Sequence, residues 1–481
     1  MTTIKLDPGA ALLLDALHGA GHAAYAVGGC VRDSLLGLDP HDWDLCTSAR
    51  PEQVMALFGE EKCIPTGLQH GTVTVKQGGR LYETTTFRTE GAYSDGRHPD
   101  AVCFVPDVRE DLARRDFTIN AMAYSAEEGL IDPFGGRDDL AAHLVRAVGE
   151  PERRFEEDAL RILRLYRFAA RFGFAIDPAT GAAARALGPH LDCVSAERIQ
   201  EELLKLLAAP RPGSYLEPAV LAVVLPELEP EKQPERFAEL CRTIDRIEPT
   251  AENVPARLAA LLWPLGEAGA RKALRKLKCS NALTDEVTAL VGGSVGSFLL
   301  GHEFELRHPA DALCLERHSH PAGRCPNSNS LFPPQAAVVA VAGHSIARPI
   351  ACGNRVPPQR TVLGETPGTP NTTLTVQAKR LLGRYELPTI QRLTALCSAR
   401  RPEQTGAFAA LRAEAERLTA ENACCRVSQL AVNGRDLMAA GIRPGPGLRQ
   451  VLNALLEAVI TGQTPNEKDA LLAEAAQFSA S

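Results

Sequence analysis

Apolar and polar residues alternate with the period of β-strands in the first part of the chain. Helical spacing predicts an amphipathic helix ending at Asp15–Gly21, a second at Cys30–Gly37 and a third beginning near Asp116. The Gly78–Gly79 pair predicts a turn between two strands. The predicted strands are His22–Val27, Asp42–Cys46, His70–Lys76, Arg80–Arg88 and Val102–Val105. Strands followed by helix predict a small α+β domain that extends to about residue 145.

The pattern becomes helical after Gly149. Glu152–Phe172 and Ala196–Leu207 have strong helical periodicity, which continues to about Val291, and no strand pattern of comparable strength returns. The predicted fold class is therefore an α+β N-terminal head followed by an all-α neck, body and tail.

One segment interrupts the helical pattern. Periodicity disappears between about His302 and Gln377, and Pro321–Pro370 contain nine prolines but a single acidic residue, Glu365. Such composition is typical of linkers and disordered segments. Because helical periodicity resumes at Ala378–Tyr385, residues 301–377 are predicted to be a disordered, proline-rich insertion without an assigned function.

Composition adds limits to this picture. The chain is 45% hydrophobic and 23% charged, as in ordinary globular proteins, and has no apolar run long enough to span a membrane. Its thirteen cysteines form no CxxC pair and no signal peptide pattern is seen, which predicts reduced thiols and a cytoplasmic location. The net charge of −7 argues against a protein that binds nucleic acid over its whole surface through bulk positive charge. A nucleic-acid enzyme with local basic stripes is still compatible with this net charge.

The strongest chemical signal is the block Tyr25–Thr47. Asp42 and Asp44 are one strand period apart, so their carboxylates are expected on one face, where they could hold Mg²⁺ bridged to a triphosphate. Gly28–Gly29 would let backbone amides approach a phosphate at a helix N-terminus, and Arg32 lies one turn further. A DxD pair alone is more often a turn cap beside a surface residue. The glycines and the arginine favour the metal site.

The same block resembles the head of the class II tRNA nucleotidyltransferase and bacterial poly(A) polymerase family, within the DNA polymerase β superfamily. Other stretches resemble further family motifs in the same order. These are RRDFTINA at Arg114–Ala121, DPFGGR at Asp132–Arg137, EDALRILRLYR at Glu157–Arg167 and LAVNGRD at Leu430–Asp436. The resemblance covers about residues 1–300 and 378–480.

This resemblance implies a CCA-adding tRNA nucleotidyltransferase. Such an enzyme adds C, C and A from CTP and ATP to the tRNA 3′ end without a template, depends on Mg²⁺ and releases pyrophosphate. Asp42 and Asp44 would then be the catalytic metal ligands. The residues implied to bind the nucleotide are Gly29, Arg32, Arg115, Asp158, Arg161, Arg164 and Arg167.

The helix that carries Asp158 and Arg161 is implied to select the base. At positions i and i+3 of one helix their head groups would be neighbours, and together they would offer an acceptor and donors to a base edge. The alternative for this helix is an ordinary solvated face, with Glu157 and Arg161 as a surface ion pair.

The pattern and the resemblance together predict a domain order. The predicted domains are a polymerase β-like catalytic head (1–150), a neck for nucleotide selection and RNA binding (151–209), a helical body (210–300), the insertion (301–377), the continued body (378–423) and a tRNA-binding tail (424–481).

Several alternatives stay open at this stage. A bacterial poly(A) polymerase or an A-adding enzyme would share the head motifs, and an RNA-binding protein disabled by its insertion would differ in class. The loop Thr89–Pro99 argues against an enzyme that adds only the two cytidines. Glu83 is a candidate third carboxylate, and equally a solvent-facing strand residue. His41–Asp42 forms an HD dipeptide without the further His and Asp residues that a metal phosphohydrolase needs. The oligomeric state is not predicted.

Overall fold

The computed structural model describes residues 3–90, 102–293 and 372–479. Its strands are β1 (Ala24–Val27), β2 (Leu45–Thr47), β3 (Cys63–Gly67), β4 (Thr72–Gln77), β5 (Arg80–Thr86), β6 (Arg88–Glu90), β7 (Val102–Phe104), β8 (Ala123–Ser125), β9 (Gly129–Ile131), β10 (Leu144–Val145) and β11 (Ala175–Ile176). Within the described residues, seven strands form a mixed sheet in the order β3-β4-β5-β2-β1-β8-β9. In this sheet β1 runs antiparallel to β2 and β8, while β2 runs parallel to β5.

The centre of the sheet is buried on both faces. Ala24, Ala26 and Leu45 belong to the large apolar core that includes the first helix. Tyr25 and Cys46 face the other way, into a small cluster. All four residues of β1 are buried, as expected for alternating side chains that meet protein on each side. The central strands therefore form a rigid platform for the segments at their ends.

Helices surround the sheet and continue the chain beyond it. The helices of the head are α1 (Pro8–Gly19), α2 (Gly29–Leu35), α3 (Pro51–Phe58), α4 (Val108–Ala113) and α5 (Gly136–Ala141). The next are α6 (Pro151–Glu157), α7 (Leu160–Phe172), α8 (Pro178–Ala186), α9 (Ala196–Leu207), α10 (Pro218–Val224), α11 (Pro234–Arg246), α12 (Val254–Leu262), α13 (Gly266–Lys276) and α14 (Asn281–Gly292). The last are α15 (Thr372–Arg384), α16 (Leu387–Arg400), α17 (Thr405–Ala420), α18 (Gly434–Ala439), α19 (Pro446–Thr461) and α20 (Lys468–Ser479).

One apolar core runs from the head into the helical body. It joins buried residues of α1 and the sheet to those of α7, α12 and α16. A separate cluster, which includes Leu437, Leu455 and Leu471, holds the three last helices together. The predicted fold class, an α+β head followed by helices, is confirmed. Within the described ranges, no helix is long and apolar enough to cross a membrane.

Three local predictions were wrong. β2 begins at Leu45 instead of Asp42. The helix expected near Asp116 is α4, which begins earlier because the Asp107 side chain accepts a hydrogen bond from the Arg109 amide. The helix predicted over Glu152–Phe172 is two helices, because the backbone of Asp158 is extended between α6 and α7. The strands β3, β8, β9, β10 and β11 were not predicted.

The predicted loop Thr89–Pro99 and the predicted insertion at 301–377 lie mostly outside the described residues. The expected end of the insertion was nevertheless misplaced, since residues 372–377 already belong to α15. Apolar residues in α15, such as Leu381, pack against the same core as the helices before the insertion.

Candidate active site

Asp42 and Asp44 lie in the extended segment that leads into β2. Both residues are exposed, whereas Trp43 between them is only 6% exposed. The Val27 amide donates a hydrogen bond to the Asp44 carbonyl at 3.0 Å, which fixes this segment against the end of β1. The alternation predicted for a strand is thus kept just before the strand begins, and the two carboxylates share a side.

Glu83 belongs to the neighbouring strand β5. Leu45 is paired with Thr84 in the parallel ladder, so Asp44 and Glu83 come directly before paired residues. Although Asp44 is exposed as a residue, protein surrounds its carboxylate closely. Desolvation, together with repulsion from Glu83 and Asp42, raises the pKa of Asp44 to about 6, against an opposing effect of Arg115. The structure therefore places Glu83 close enough to Asp44 for the two carboxylates to repel each other.

The carboxylates fit a magnesium ion that is held partly by substrate. Within the described ranges, no three His, Cys, Asp or Glu side chains are arranged so that they could hold a metal ion by themselves. Mg²⁺ is usually bound by one or two carboxylates, with water and substrate phosphates completing its shell. Asp42 and Asp44 meet that requirement as two carboxylates on one side of the sheet.

A glycine turn and Arg115 lie next to these carboxylates. Gly28, at φ 78°, connects β1 to α2, and a Cβ atom there would be 2.9 Å from Nη1 of Arg115. Nη2 of Arg115 donates to Asp111 at 3.3 Å, while its Nε is buried without a hydrogen-bond partner among the described residues. Arg115 also lowers the pKa of Asp44. A cation with a free donor therefore lies between the glycine turn and the carboxylates.

Arg32 is buried more deeply than the sequence indicated. It is 3% exposed, its Nε donates to Asp33 at 2.8 Å and its Nη1 donates to the Asn120 side chain. The guanidinium carbon lies 4.9 Å from the ring centre of Phe172. A Cβ at Gly29 would be 3.6 Å from Nη2 of Arg32, so the guanidinium packs directly against the glycine turn.

Asp158 and Arg161 do not lie on one helical face as predicted. Because the helix breaks at Asp158, its carboxylate binds both Nη atoms of Arg198, at 3.2 and 2.8 Å. Arg161 is 9% exposed and donates to Glu157 at 2.8 Å and to the Arg114 carbonyl at 3.0 Å. The Glu157–Arg161 ion pair of the alternative interpretation exists, but it is largely buried and is not a surface pair.

Arg164 and Arg167, also predicted to bind the nucleotide, are held by acids of two other segments. Nε of Arg164 donates to Asp116 at 2.9 Å, and Nε of Arg167 lies 2.7 Å from a carboxylate oxygen of Glu202. The pKa of Asp116 is held well below its usual range by Arg164 and by hydrogen bonds, against the effect of burial. A row of arginines on α7 therefore faces a buried acidic lining.

Sequence reasoning missed four residues that form hydrogen bonds or ion pairs with the predicted site residues. Asp116 and Asn120 lie inside the quoted stretch RRDFTINA. In that stretch the resemblance implied a role for Arg115 alone. Arg198 and Glu202 lie on α9, where Glu202 is buried on the apolar face. A charged residue at an apolar position of a strongly amphipathic helix is the signal that could have identified Glu202.

Three segments of the chain match known protein families. Residues 24–146 match the poly A polymerase head domain. Residues 173–231 match the probable RNA and SrmB-binding site of polymerase A, and residues 386–475 match the putative domain 2 of tRNA nucleotidyltransferases.

Individual relatives match over different lengths. The CCA-adding enzyme of Lactiplantibacillus plantarum is 32% identical over 96% of this chain and 93% of its own length. That of Limosilactobacillus fermentum is 49% identical over 195 residues, which is 48% of its length. The crystal structure of the Bacillus stearothermophilus CCA-adding enzyme in complex with CTP superimposes with a TM-score of 0.70, at 30% identity, covering 99% of this chain and 98% of that one.

Proposed function

Because the chain belongs to the family of CCA-adding enzymes, the class II tRNA nucleotidyltransferases, we propose that it completes the 3′ end of tRNA. It adds C, C and A from CTP and ATP, without a template, by attack of the terminal hydroxyl on the α-phosphate and release of pyrophosphate. The observation that carries this proposal is the Asp42–Asp44 pair beside a glycine turn, together with the row of arginines on α7. The relative solved with CTP supports CTP as a substrate.

Asp42 and Asp44 are the proposed ligands of Mg²⁺, with Glu83 as a nearby third carboxylate. When bound, the metal supplies Lewis-acid polarisation and neutralises charge on the triphosphate. The chain's own contribution is to keep two carboxylates on one side of a rigid sheet, at the end where the glycine turn begins. Support comes from their position on one side of the sheet and from the raised pKa of Asp44, which is caused first by desolvation and then by repulsion from Glu83 and Asp42, and which a bound cation would lower.

The glycine turn and Arg115 form the proposed triphosphate site. Backbone amides near Gly29 can approach an anion because glycine leaves that side of the turn open. Arg115 has a buried Nε without a partner in the described part of the chain, so a phosphate oxygen could accept its hydrogen bond. Arg32 supports the turn from its buried position, and its guanidinium contributes positive charge to the same site.

Asp158, Arg161, Arg164 and Arg167 are proposed to select and enclose the base. A carboxylate has about four acceptor positions. Arg198 uses two of those of Asp158, and the Leu160 amide uses a third at 3.1 Å. Asp158 can therefore keep Arg198 and still accept from an amino group, which both cytosine and adenine carry and uracil lacks. This fixed acceptor discriminates against UTP without a template.

The neck and the tail are the proposed tRNA-binding parts. They overlap the segments matched by the RNA-binding and tRNA nucleotidyltransferase domains, residues 173–231 and 386–475, which also include parts of the predicted body.

The proposal is tested by incubating the protein with Mg²⁺, labelled CTP and ATP, and tRNA that lacks its CCA end. Addition of C, C and A followed by a stop is the expected result. An extended A tail would identify a poly(A) polymerase, and addition only to tRNA ending in CC would identify an A-adding enzyme. Binding of tRNA without addition would contradict catalysis altogether and identify an RNA-binding protein.

A further inference from the structure

Arg32 and Arg164 belong to different parts of the molecule but are joined through one buried amide. Arg32 lies on α2 of the head and donates from Nη1 to Oδ1 of Asn120. Nδ2 of Asn120 donates at 3.0 Å to Oδ1 of Asp116. Oδ2 of Asp116 accepts from Nε of Arg164, on α7 of the neck, at 2.9 Å. Cation, amide, carboxylate and cation thus form a continuous chain.

The Asn120 side chain can serve this chain in one orientation only. Its oxygen faces a donor-only guanidinium, and its NH₂ group faces an acceptor-only carboxylate. A flipped amide would oppose donor to donor and acceptor to acceptor. Asn120 is 6% exposed, so water cannot readily replace either bond, and both bonds are charge-assisted. The amide therefore fixes the relative position of the two charged groups.

An aromatic ring provides a second connection between the same arginines. Phe168, on α7, has the guanidinium carbons of Arg32 and Arg164 at 5.2 and 5.3 Å from its ring centre. It also packs edge-on against Phe117, at 5.8 Å between ring centres, in the segment that carries Asn120. Arg32 therefore cannot move far without displacing the ring and, with it, α7.

We propose that Asn120 is a positioning residue that couples the triphosphate side of the nucleotide site to its base-selecting side. This inference rests on the proposed function, in which Arg32 contributes to the first side and Arg164 to the second. A neutral amide transmits alignment from one to the other without changing the charge of the network. Loss of the amide removes the hydrogen-bonded connection between the two arginines while leaving Asp42 and Asp44 in place.

The test is a double-mutant cycle on CTP binding, measured by titration calorimetry with the full chain. Arg32→Lys and Arg164→Lys keep the charge but lose the planar fork. In the protein with Asn120 intact, the double variant should lose at least fivefold less affinity for CTP than the product of the losses in the two single variants. The reason is that either change alone already disrupts the shared chain. In an Asn120→Ala background we expect the difference between the combined loss and that product to shrink to less than half, since only the contact of both arginines with Phe168 still couples them.

Two further variants keep the test decisive. Asn120→Asp preserves the size of the side chain and the acceptor for Arg32, but it replaces the donor toward Asp116 with a second negative charge. It should therefore give the same result as Asn120→Ala in the CTP-binding cycle. Thr118→Val is the matched control, because Thr118 is buried in the same turn and donates to Asp139 at 2.6 Å, outside the arginine chain. The control should leave CTP affinity and the preference for CTP over UTP unchanged.

The outcomes separate this inference from the proposed function. The coupling would be overturned if the two arginine variants lost CTP affinity multiplicatively in the protein with Asn120 intact. It would also be overturned if a folded Asn120→Ala protein kept its CTP affinity and its preference for CTP over UTP. Either result would count even if CCA addition is normal. A parent that shows the expected cycle in CTP binding but adds no nucleotide would contradict the proposed function and leave the coupling standing. A parent that binds no CTP would overturn both.

Discussion

Replacement of Asp158 by alanine should relax the choice of base without stopping catalysis. The Asp158 carboxylate accepts from Arg198 twice and from the Leu160 amide once, so its position is fixed before any nucleotide binds. A hydrogen bond to a charged group contributes roughly 1.5–3 kcal/mol, which corresponds to about a 10- to 150-fold change in a rate ratio. We expect the preference of kcat/KM for CTP over UTP to fall by about that factor.

The assay measures single-nucleotide addition to tRNA lacking CCA, with each of the four nucleotides in turn. Arg198→Ala is the comparison variant, since it keeps the Asp158 carboxylate but removes two of the three bonds that fix its position. It should therefore lose less of the CTP preference than Asp158→Ala does. The Asp158–Arg198 pair is partly exposed, so we expect its loss to cost only about 1 kcal/mol of stability. An equal loss of rate for all four nucleotides, with the CTP preference unchanged, would show that Asp158 has a structural role alone.

Three further predictions concern the triphosphate site, the buried network and the metal. Arg115→Ala should raise the KM for CTP and ATP about tenfold or more at unchanged base preference, because a charge-assisted contact of ~1.5–3 kcal/mol is lost; a shift in preference would contradict this role. Asp116→Ala should lower the free energy of unfolding by about 3 kcal/mol at pH 7, because Arg164, the Asn120 side chain and the Phe117 amide all lose the acceptor that Asp116 provides. The pKa of Asp116 is depressed when folded, so this difference should be constant above about pH 5 and shrink as the pH falls below 4, in urea titrations. Chelation of Mg²⁺ by EDTA should stop nucleotide addition without changing the far-ultraviolet circular dichroism spectrum; an altered spectrum would indicate a structural metal instead.

The parts of this site that are local in sequence could be predicted from it. The shared side of Asp42 and Asp44 follows from an alternation that the burial of Trp43 enforces, and it persists although β2 begins only at Leu45. The order of β1, the glycine turn and α2, which carries Arg32, was also predicted correctly. The predicted ends of β1 and α2 differ from the observed ends by one or two residues.

The pairings between distant segments could not be predicted in this way. Arg32 and Asn120 are 88 positions apart, and Arg164 and Asp116 are 48 apart, so neither pair leaves a local pattern. The break at Asp158 has the same origin. The residues around it favour a continuous helix, whereas Asp158 makes its ion pair with Arg198 of a later helix. Tertiary contacts of this kind override local helical preference.

The central claim is that Asp42 and Asp44 carry the catalysis of CCA addition. The most direct measurement compares Asp42→Ala, Asp44→Ala and the control Asp39→Ala, an exposed aspartate of the same loop, in labelled addition to tRNA lacking CCA. We predict no detectable addition by either of the first two, with tRNA binding retained, and near-parental activity of the control. Activity of Asp42→Ala or Asp44→Ala within about tenfold of the parent, or ~1.4 kcal/mol of barrier, would contradict the account.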